Sequence, residues 1–302
     1  MSLKSKLHTY ATQTLGFDDC RFCQIDTNDS MNVYTQWIQN GFHGQMDYLK
    51  NHSKFKENPE LLCPNAKSAI VVIVNYKNTK EKRLKNLLKI SRYAVGMDYH
   101  SVIKEKLNAL SGFLKAEEPG VSCYAGVDSS PIAERSLALK SGVGFLGKNT
   151  AVIKPGLGSY FFIGCILTSC DLKDDKPLMK NCGQCRLCID ACPTQAILSD
   201  CTLNANRCLS YQTIEKKTSM TDEEIKNSEG WLFGCDICQE VCPYNSDSVP
   251  LTTWKEFLPD SGVGFGFFEE NSPDKTMIPK PTPLYRSRKR LLENWKRFVS
   301  LR

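Results

Sequence analysis

Histidine is scarce in this chain. There are four in 302 residues (His8, His43, His52 and His100), and none stands at metal-ligand spacing from another, so a histidine-built metal centre is not expected. Long apolar runs are missing too. Ala69 to Val74 and Tyr160 to Leu167 are the longest, far below the roughly 20 residues that span a bilayer. Met1 to His8 has no apolar core of signal-peptide length. No repeat exists outside two cysteine runs, and 302 residues allow about two domains. Hydrophobic content of 41% and charged content of 24% are ordinary for a water-soluble fold. On these grounds the protein is expected in the cytoplasm, where thiols stay reduced.

Cysteine, by contrast, is abundant, with 15 residues, eight of them between Cys182 and Cys242. The first run is Cys182-x-x-Cys185-x-x-Cys188-x-x-x-Cys192-Pro193, the bacterial ferredoxin spacing, in which the fourth cysteine ligates the other cluster. The second is Cys235-x-x-Cys238-x-x-x-Cys242-Pro243, the same pattern without its leading cysteine, and Cys208 is the obvious replacement. Two four-iron clusters need eight thiolates. The spacing assigns Cys182, Cys185, Cys188 and Cys242 to cluster one, and Cys192, Cys208, Cys235 and Cys238 to cluster two. Structural zinc sites usually offer two separated Cys-x-x-Cys pairs rather than a run of three closed by Cys-Pro. A disulfide framework does not suit a long chain without a secretory signal.

Seven cysteines remain: Cys20, Cys23, Cys63, Cys123, Cys165, Cys170 and Cys201. Most are expected to be small core residues. Cys20-Arg-Phe-Cys23 has redox spacing but no helix start behind it. Net charge is only +6, and the excess is uneven. From Arg286 to Arg302 the chain carries Arg286, Arg288, Lys289, Arg290, Lys296, Arg297 and Arg302 against Glu293. Such a patch grips phosphates; it is equally an amphipathic helix packing Leu291, Leu292, Trp295 and Val299 on the body.

Residues 1–170 alternate strand and helix signals. Ala69–Val74 is a β-branched run of buried-strand length, and Ile103, Leu107, Leu110 and Leu114 recur at helical spacing. Cys123–Val127 is a short strand ending at Asp128, and Ser159–Thr168 is another strand. The expected class is α/β (α+β), with helices packed on a central sheet. Asp171–Lys180 is a polar linker, and a cluster module follows over about 181–245. The expected divisions are 1–170, 171–250 and 251–302. In the last, Ser261–Gly266 and Pro279–Pro283 are loops that wrap back before the basic tail.

Gly142-Val-Gly144-Phe-Leu-Gly147 matches a dinucleotide fingerprint, yet it follows a helical stretch, Ile132–Lys140, instead of a strand. A turn that brings backbone close to something flat or bulky is expected instead. Asp98-Tyr-His100 begins a cobalamin-ligating Asp-x-His-x-x-Gly, but Ile103 stands where glycine is needed, so His100 is not expected on cobalt. His43, in Gly41-Phe-His-Gly44, is a turn residue. Asp128-Ser-Ser-Pro131 has two readings: an acid facing a pocket above the sheet, or a helix N-cap with Pro131 and Glu134 in the first turn.

Several segments together resemble the epoxyqueuosine reductase family, which completes queuosine synthesis on tRNA. They are Gly41–Leu49, Ser91–His100, Val127–Arg135, Gly142–Thr150, Arg207–Glu215 and Gly234–Pro243. The resemblance implies a cobalamin-binding domain of the reductive-dehalogenase type joined to a ferredoxin-like module with two 4Fe-4S clusters. It implies base-off cobalamin with no protein histidine on cobalt, and Asp128 as proton donor. Implied corrin contacts are Asn51, Ser91, Asp128, Val152, Ile163, Ser210, Cys235 and Asp236. The chain departs from the family in Gly-Phe-Leu-Gly for Gly-Trp-Ile-Gly and Cys-Pro-Tyr for Cys-Pro-Trp. Longer members carry a helical-repeat tail that is missing here, so tRNA binding is expected of Arg286, Arg288, Lys289 and Arg290.

The reaction implied is a two-electron deoxygenation. Electrons are expected to enter cluster two, pass to cluster one and reach cobalt, with a raised pKa making Asp128 the acid. The expected partners are tRNA and a low-potential electron donor, with no membrane and a monomeric state. The rivals are a corrinoid reductase of a small organic substrate, related to reductive dehalogenases, and a two-cluster electron carrier. A separate domain of about 170 residues has no purpose in the latter.

Overall fold

The computed structural model describes the whole chain except residues 26–27, 80–87, 199–200, 265–277, 281 and 302, together with the side chains of 28–30. Phe265, Gly266 and Pro281 of the expected loops, and Arg302 of the expected basic tail, therefore lie outside the described residues. The chain begins with α1 (Leu3–Thr9), which passes through a π-turn into β1 (Asp19–Gln24). Next come α2 (Asn28–Gln39), α3 (Tyr48–Glu57), β2 (Ser68–Asn75), β3 (Lys89–Ile90) and α4 (Tyr99–Glu117). β4 (Cys123–Val127), α5 (Glu134–Lys140), β5 (Phe145–Leu146), β6 (Val152–Ile153) and β7 (Phe161–Thr168) complete the first part. The cysteine-rich part holds α6 (Leu187–Asp190), α7 (Leu209–Ile214), α8 (Asp222–Asn227), β8 (Trp231–Phe233) and α9 (Ile237–Glu240), and α10 (Arg288–Ser300) closes the chain.

The main sheet has the order β1-β2-β7-β4 and is antiparallel at every pairing, so of the two forms expected it is the α+β one. All eight residues of β2 are buried. Ile70, Val72 and Val74 enter the core formed with α1 and α4, while Ala69, Val71 and Ile73 enter the core beneath α5. A strand covered on both faces reads as an unbroken apolar run, which is why its sequence shows no alternation. From α4, Ile103, Leu107, Leu110 and Leu114 are fully buried on the sheet. Burial of each such side chain contributes about 1.5–3 kcal/mol.

The sheet edges are closed by polar groups. Asp175 accepts from the Phe22 amide at 2.9 Å and Asp174 from the Gln24 amide at 2.6 Å. The stretch expected to be a plain linker thus seals the free side of β1, an edge that would otherwise offer unpaired amides. On the far edge, the Lys104 amine donates to the Ala125 carbonyl.

The three expected segments interlock. β3, from the first, pairs in parallel with β8 from the cysteine-rich part. Trp254 and Phe257, from the third, lie in the core beside α4. In α10, Leu291 and Leu292 are buried as expected, but Val299 is 51% exposed and Phe298 takes the inward position. Positions 291, 294 and 298 follow the helical period, and 299 falls one residue past it.

The Gly142–Gly147 turn leads into the β5–β6 hairpin. A Cβ on Gly144 would fall 2.5 Å from the Ile153 carbonyl oxygen, and one on Gly142, at φ +76°, would fall 2.1 Å from that of Lys176. The bulky neighbour expected of these glycines is therefore the chain's own backbone.

Candidate active site

β4 ends at Val127, and the next residue, Asp128, turns into the left-handed region at φ +52°. Aspartate tolerates this better than most residues. The turn aims its carboxylate at the first turn of α4. Asp98 caps that helix, accepting from the His100 amide at 3.0 Å, and this places Tyr99 and His100 opposite Asp128. Asp128 Oδ2 accepts from the Tyr99 hydroxyl and lies 3.1 Å from His100 Nε2. His100 Nδ1 lies 2.6 Å from Asp98 Oδ1, so the imidazole bridges two carboxylates. Tyr99 is clamped between the rings of His100 and Phe162, each centroid 4.1 Å away.

The N-cap reading of Asp128 fails. α5 begins at Glu134, and its cap position, Ala133, makes no side-chain bond. Glu134 instead reaches back, and its Oε1 accepts from the Asp128 backbone N–H at 2.7 Å. Two more bonds hold the intervening loop: Ser130 to the Tyr124 hydroxyl at 3.0 Å, and Lys56 to the Ile132 carbonyl at 2.9 Å.

Electrostatics correct a second expectation. The Asp128 side chain is 61% exposed. Protein nevertheless surrounds it deeply enough for desolvation to be the largest influence on its pKa, the pattern of a group on the floor of an open cleft. Burial pushes its pKa up, but hydrogen bonds from His100 and Tyr99, with the charges of His100 and Arg286, bring it below the ordinary carboxylate value. The raised pKa expected of a lone acid is absent because two donors and a cation face it. Of the two groups, His100 is the one whose protonated form the site favours. Burial would lower the His100 pKa, yet Asp128 and Asp98 outweigh that and raise it. Glu134 moves the other way: burial and the charge of Asp128 push it up to about 8.

The cleft is ringed with aromatics and acids. Tyr93 packs at 6.1 Å from Tyr99 and 6.2 Å from Phe233. Its pKa is driven far up, first by burial and then by the charges of Asp128 and Asp236, so it stands between the acid site and the cysteine-rich part. Tyr48, 44% exposed, and Glu215 both lie in the field of Asp128. Arg286 pairs with Asp98 at 3.4 Å, which places the start of α10 at the mouth.

The eight cysteines fall into two groups. Cys188 is pushed up by burial and then by the charges of Cys182, Cys242 and Cys185, and Cys242 by burial, Cys182 and Cys185. Cys235 is raised by burial, Cys238 and Cys208, and Cys238 by burial, Cys208, Asp236, Cys188 and Cys192. Amides of Ser210 and Tyr211 point at Cys208, and the Ala196 amide lies 3.3 Å from Cys192 Sγ, contacts that stabilise thiolates. Among the described residues, no three Cys, His, Asp or Glu side chains close on a point as a single metal ion requires. A cube of four irons spreads its thiolates wider, and the two groups fit that donor set.

The two groups differ in depth. The first lies among exposed residues, Gly183, Gln184, Arg186 and Leu187. The second abuts Phe233 and Asp236, each 1% exposed. The surroundings of the first group are thus the more exposed, whereas the sequence led to electron entry at the second.

The expected corrin contacts fall in three places. Ser91, 1% exposed, donates its amide to the Phe233 carbonyl at 2.8 Å, and Asp236 accepts from the Arg92 amide at 2.8 Å. Ser210 and Cys235 join this cluster through Thr213, which accepts from the Gly234 amide at 2.9 Å and donates to the Ser210 carbonyl at 3.2 Å. Val152 and Ile163 share the core face beneath α5, and Asn51 is exposed on α3. Ile163 is the only residue of β7 that is not fully buried.

Of the basic residues expected to bind tRNA, Arg288 donates to the Tyr285 carbonyl and lies over its ring at 4.0 Å, and Arg290 donates to the Ile214 carbonyl. Arg286 and Lys289 are exposed. Cys20 and Cys23 enter cores on opposite faces of β1, which excludes a redox pair, and burial pushes Cys23 up to about 12. His43 is buried beside Trp37, and among the described residues its Nδ1 has no hydrogen-bond partner. Sequence reasoning missed Tyr99, His100 and Glu134. The available signal was Asp98 as a helix cap, which sets the next two side chains in one turn.

Comparison with known proteins matches residues 181–245 to a 4Fe-4S double cluster binding domain and residues 56–129 to the family described as epoxyqueuosine reductase QueG, DUF1730. An epoxyqueuosine reductase of Cyclobacterium marinum is 40% identical over 85% of this chain and 83% of the relative. One of Cellulophaga algicola is 41% identical over 78% and 77%. A crystal structure of epoxyqueuosine reductase with a tRNA-Tyr epoxyqueuosine-modified stem loop superimposes with a TM-score of 0.87 at 28% identity, covering 99% of this chain and 81% of the other. A Bacillus subtilis structure, described with its catalytic aspartate loop swung out of the active site, gives 0.84 at 27% identity over the same shares.

Proposed function

The chain belongs to the epoxyqueuosine reductase family, and from that premise we propose how its residues carry out the reaction. The protein is an oxidoreductase that reduces epoxyqueuosine to queuosine at the wobble position of tRNA anticodons. Two electrons and two protons convert the epoxide into an alkene and water. When bound, the two 4Fe-4S clusters and the cobalamin supply the electrons. Cys182, Cys185, Cys188 and Cys242 would hold the outer cluster, and Cys192, Cys208, Cys235 and Cys238 the inner one. Electrons would thus enter at the outer set.

The observation that carries the mechanism is the Asp98–His100–Asp128 array on the floor of the cleft. Asp128 presents to the leaving oxygen the proton that His100 holds, and Tyr99 keeps the carboxylate aimed. Asp128 is held below the ordinary carboxylate pKa and His100 above the ordinary imidazole pKa, so the imidazole is the reservoir of the proton and the carboxylate its relay. The corrinoid, base-off, would lie over Ile163 and against Ser91, Ser210, Cys235 and Asp236, with Val152 and Asn51 as further contacts. The anticodon loop, whose bases can be splayed out, would meet the mouth where Arg286 and Lys289 are exposed. We assign the divisions 1–170 to corrin binding, 171–250 to the clusters and 251–302 to the wrap that carries the basic helix. Among the described residues no helix is long and apolar enough to cross a membrane, and we place the enzyme, as a monomer, in the cytoplasm with its tRNA.

The test is anaerobic reconstitution with iron, sulfide and cobalamin, reduction with dithionite, and mass analysis of the wobble nucleoside from epoxyqueuosine-containing tRNA. Queuosine is the expected product; unreacted epoxyqueuosine with both cofactors loaded would overturn the assignment.

A further inference from the structure

We infer that the surface over the outer cysteine set is the docking face for a small, acidic one-electron carrier protein. The inference rests on the reading of Cys182, Cys185, Cys188 and Cys242 as cluster ligands and supplies the partner that this reading lacks.

Three parts of the chain meet at this face. The β5–β6 hairpin touches both ends of the cysteine set. Lys148, at its tip, donates to the Gly183 and Cys185 carbonyls at 2.8 and 3.0 Å, and Phe145 packs edge-on to Tyr244 at 5.1 Å, two residues past Cys242. The segment leading to Cys182 runs beside the hairpin, since the Lys176 carbonyl lies directly against Gly142. α6 follows Cys185. Each part leaves one large apolar side chain in solvent: Leu146 at 37%, Met179 at 92% and Leu187 at 50% exposure. Phe145 is buried and Leu146 exposed, as the alternation of a strand requires when the latter points outward. Nothing in the fold needs these three side chains outside, and methionine is enriched at protein interfaces.

The charge around them selects the partner. The same three parts of the chain carry Lys148 beside Gly183 and Cys185, and the exposed Lys176, Lys180 and Arg186. Of the carboxylates nearby, Asp190 pairs with Arg186 at 3.6 Å, Asp174 and Asp175 are bonded to β1, and Asp247 follows Cys242. An apolar centre with a cationic rim over the outermost electron-accepting position suits a carrier with an acidic face around its own redox centre. Charge of this kind raises the encounter rate and fixes orientation. The tRNA mouth is served by a different set of cations, those at the start of α10, so the two partners need not compete.

The test compares two electron sources on holoenzyme: dithionite with methyl viologen, which needs no docking, and a reduced flavodoxin of net negative charge. The variants are Met179→Glu and Lys180→Glu, singly and together, each checked for unchanged iron and cobalamin content. Affinity for flavodoxin is read directly by calorimetry at two salt concentrations. The double variant is expected to bind flavodoxin about tenfold or more weakly, with a smaller salt dependence, and to lose flavodoxin-driven turnover in proportion while viologen-driven turnover is unchanged. Unchanged affinity and unchanged flavodoxin-driven turnover would overturn the inference. Failure of the unmodified enzyme with viologen would refute the proposed reaction instead, and the binding measurement would still decide the docking face.

Discussion

Asp128→Asn isolates the proton from everything else the residue does. Asparagine is among the few residues that accept φ near +52°, so the turn survives, whereas alanine would add about 1–2 kcal/mol of left-handed strain. The backbone bond to Glu134 is untouched, and an amide oxygen still accepts from Tyr99. The carboxylate is 61% exposed, so solvent screens its charge and the stability lost is about 1 kcal/mol or less. What disappears is the anionic relay. General acid catalysis contributes about 10²–10⁴-fold, or about 2.7–5.4 kcal/mol of barrier. The His100 imidazole remains 3.1 Å from the substituted group, so the lower half of that range, about 10²–10³-fold, is expected in kcat. The assay is single-turnover formation of queuosine on an epoxyqueuosine stem loop under dithionite, with iron and cobalamin content matched to the unmodified enzyme. His100 also loses one of the two carboxylates that raise its pKa, so its titration should move down, which NMR of the imidazole reads independently. Turnover within tenfold of the unmodified enzyme would show that Asp128 is not the donor.

Four further outcomes are expected. Turnover should fall as pH rises through the His100 pKa, a limb displaced above the ordinary imidazole value because Asp98 and Asp128 raise it; the same bridge contributes stability that is complete below the unfolded-state imidazole pKa and lost as pH climbs through the folded one. Cys208→Ala should remove about half the bound iron and abolish the signal of one cluster, and unchanged iron would break the ligand grouping. Glu134→Ala should speed hydrogen exchange at the Asp128 amide and cut kcat about 10–100-fold with little change in KM, while Glu134→Gln, which still accepts that bond, restores most of it; equal loss in both variants would make the contact incidental. Lys289→Glu should raise KM for tRNA several-fold and flatten its salt dependence by about one phosphate contact, and no change would leave α10 purely structural.

The cofactor chemistry was legible from linear spacing. A thiolate run closed by Cys-Pro encodes its cluster locally, because short loops bend neighbouring cysteines round one cube, and only Cys208 had to be found by counting. β2 was equally legible, since a strand buried on both faces has no alternation to misread, and the four leucine and isoleucine positions of α4 obey a period that holds in any context. The acid site was half legible: the end of β4 delivered Asp128, but its pKa was misjudged. That pKa depends on Tyr99 and His100, 29 and 28 residues away, and only the antiparallel packing of α4 against β4 brings them across. The same holds for depth. Spacing divides eight cysteines into two groups, but which group lies nearer solvent follows from the pairing of β3 with β8, which draws Asp236 and its neighbours inward while Cys182 to Cys188 lie among exposed residues. Local geometry is written in nearest neighbours along the chain. Protonation and electron order depend on which charges and surfaces end up adjacent, and that is a property of tertiary contacts alone.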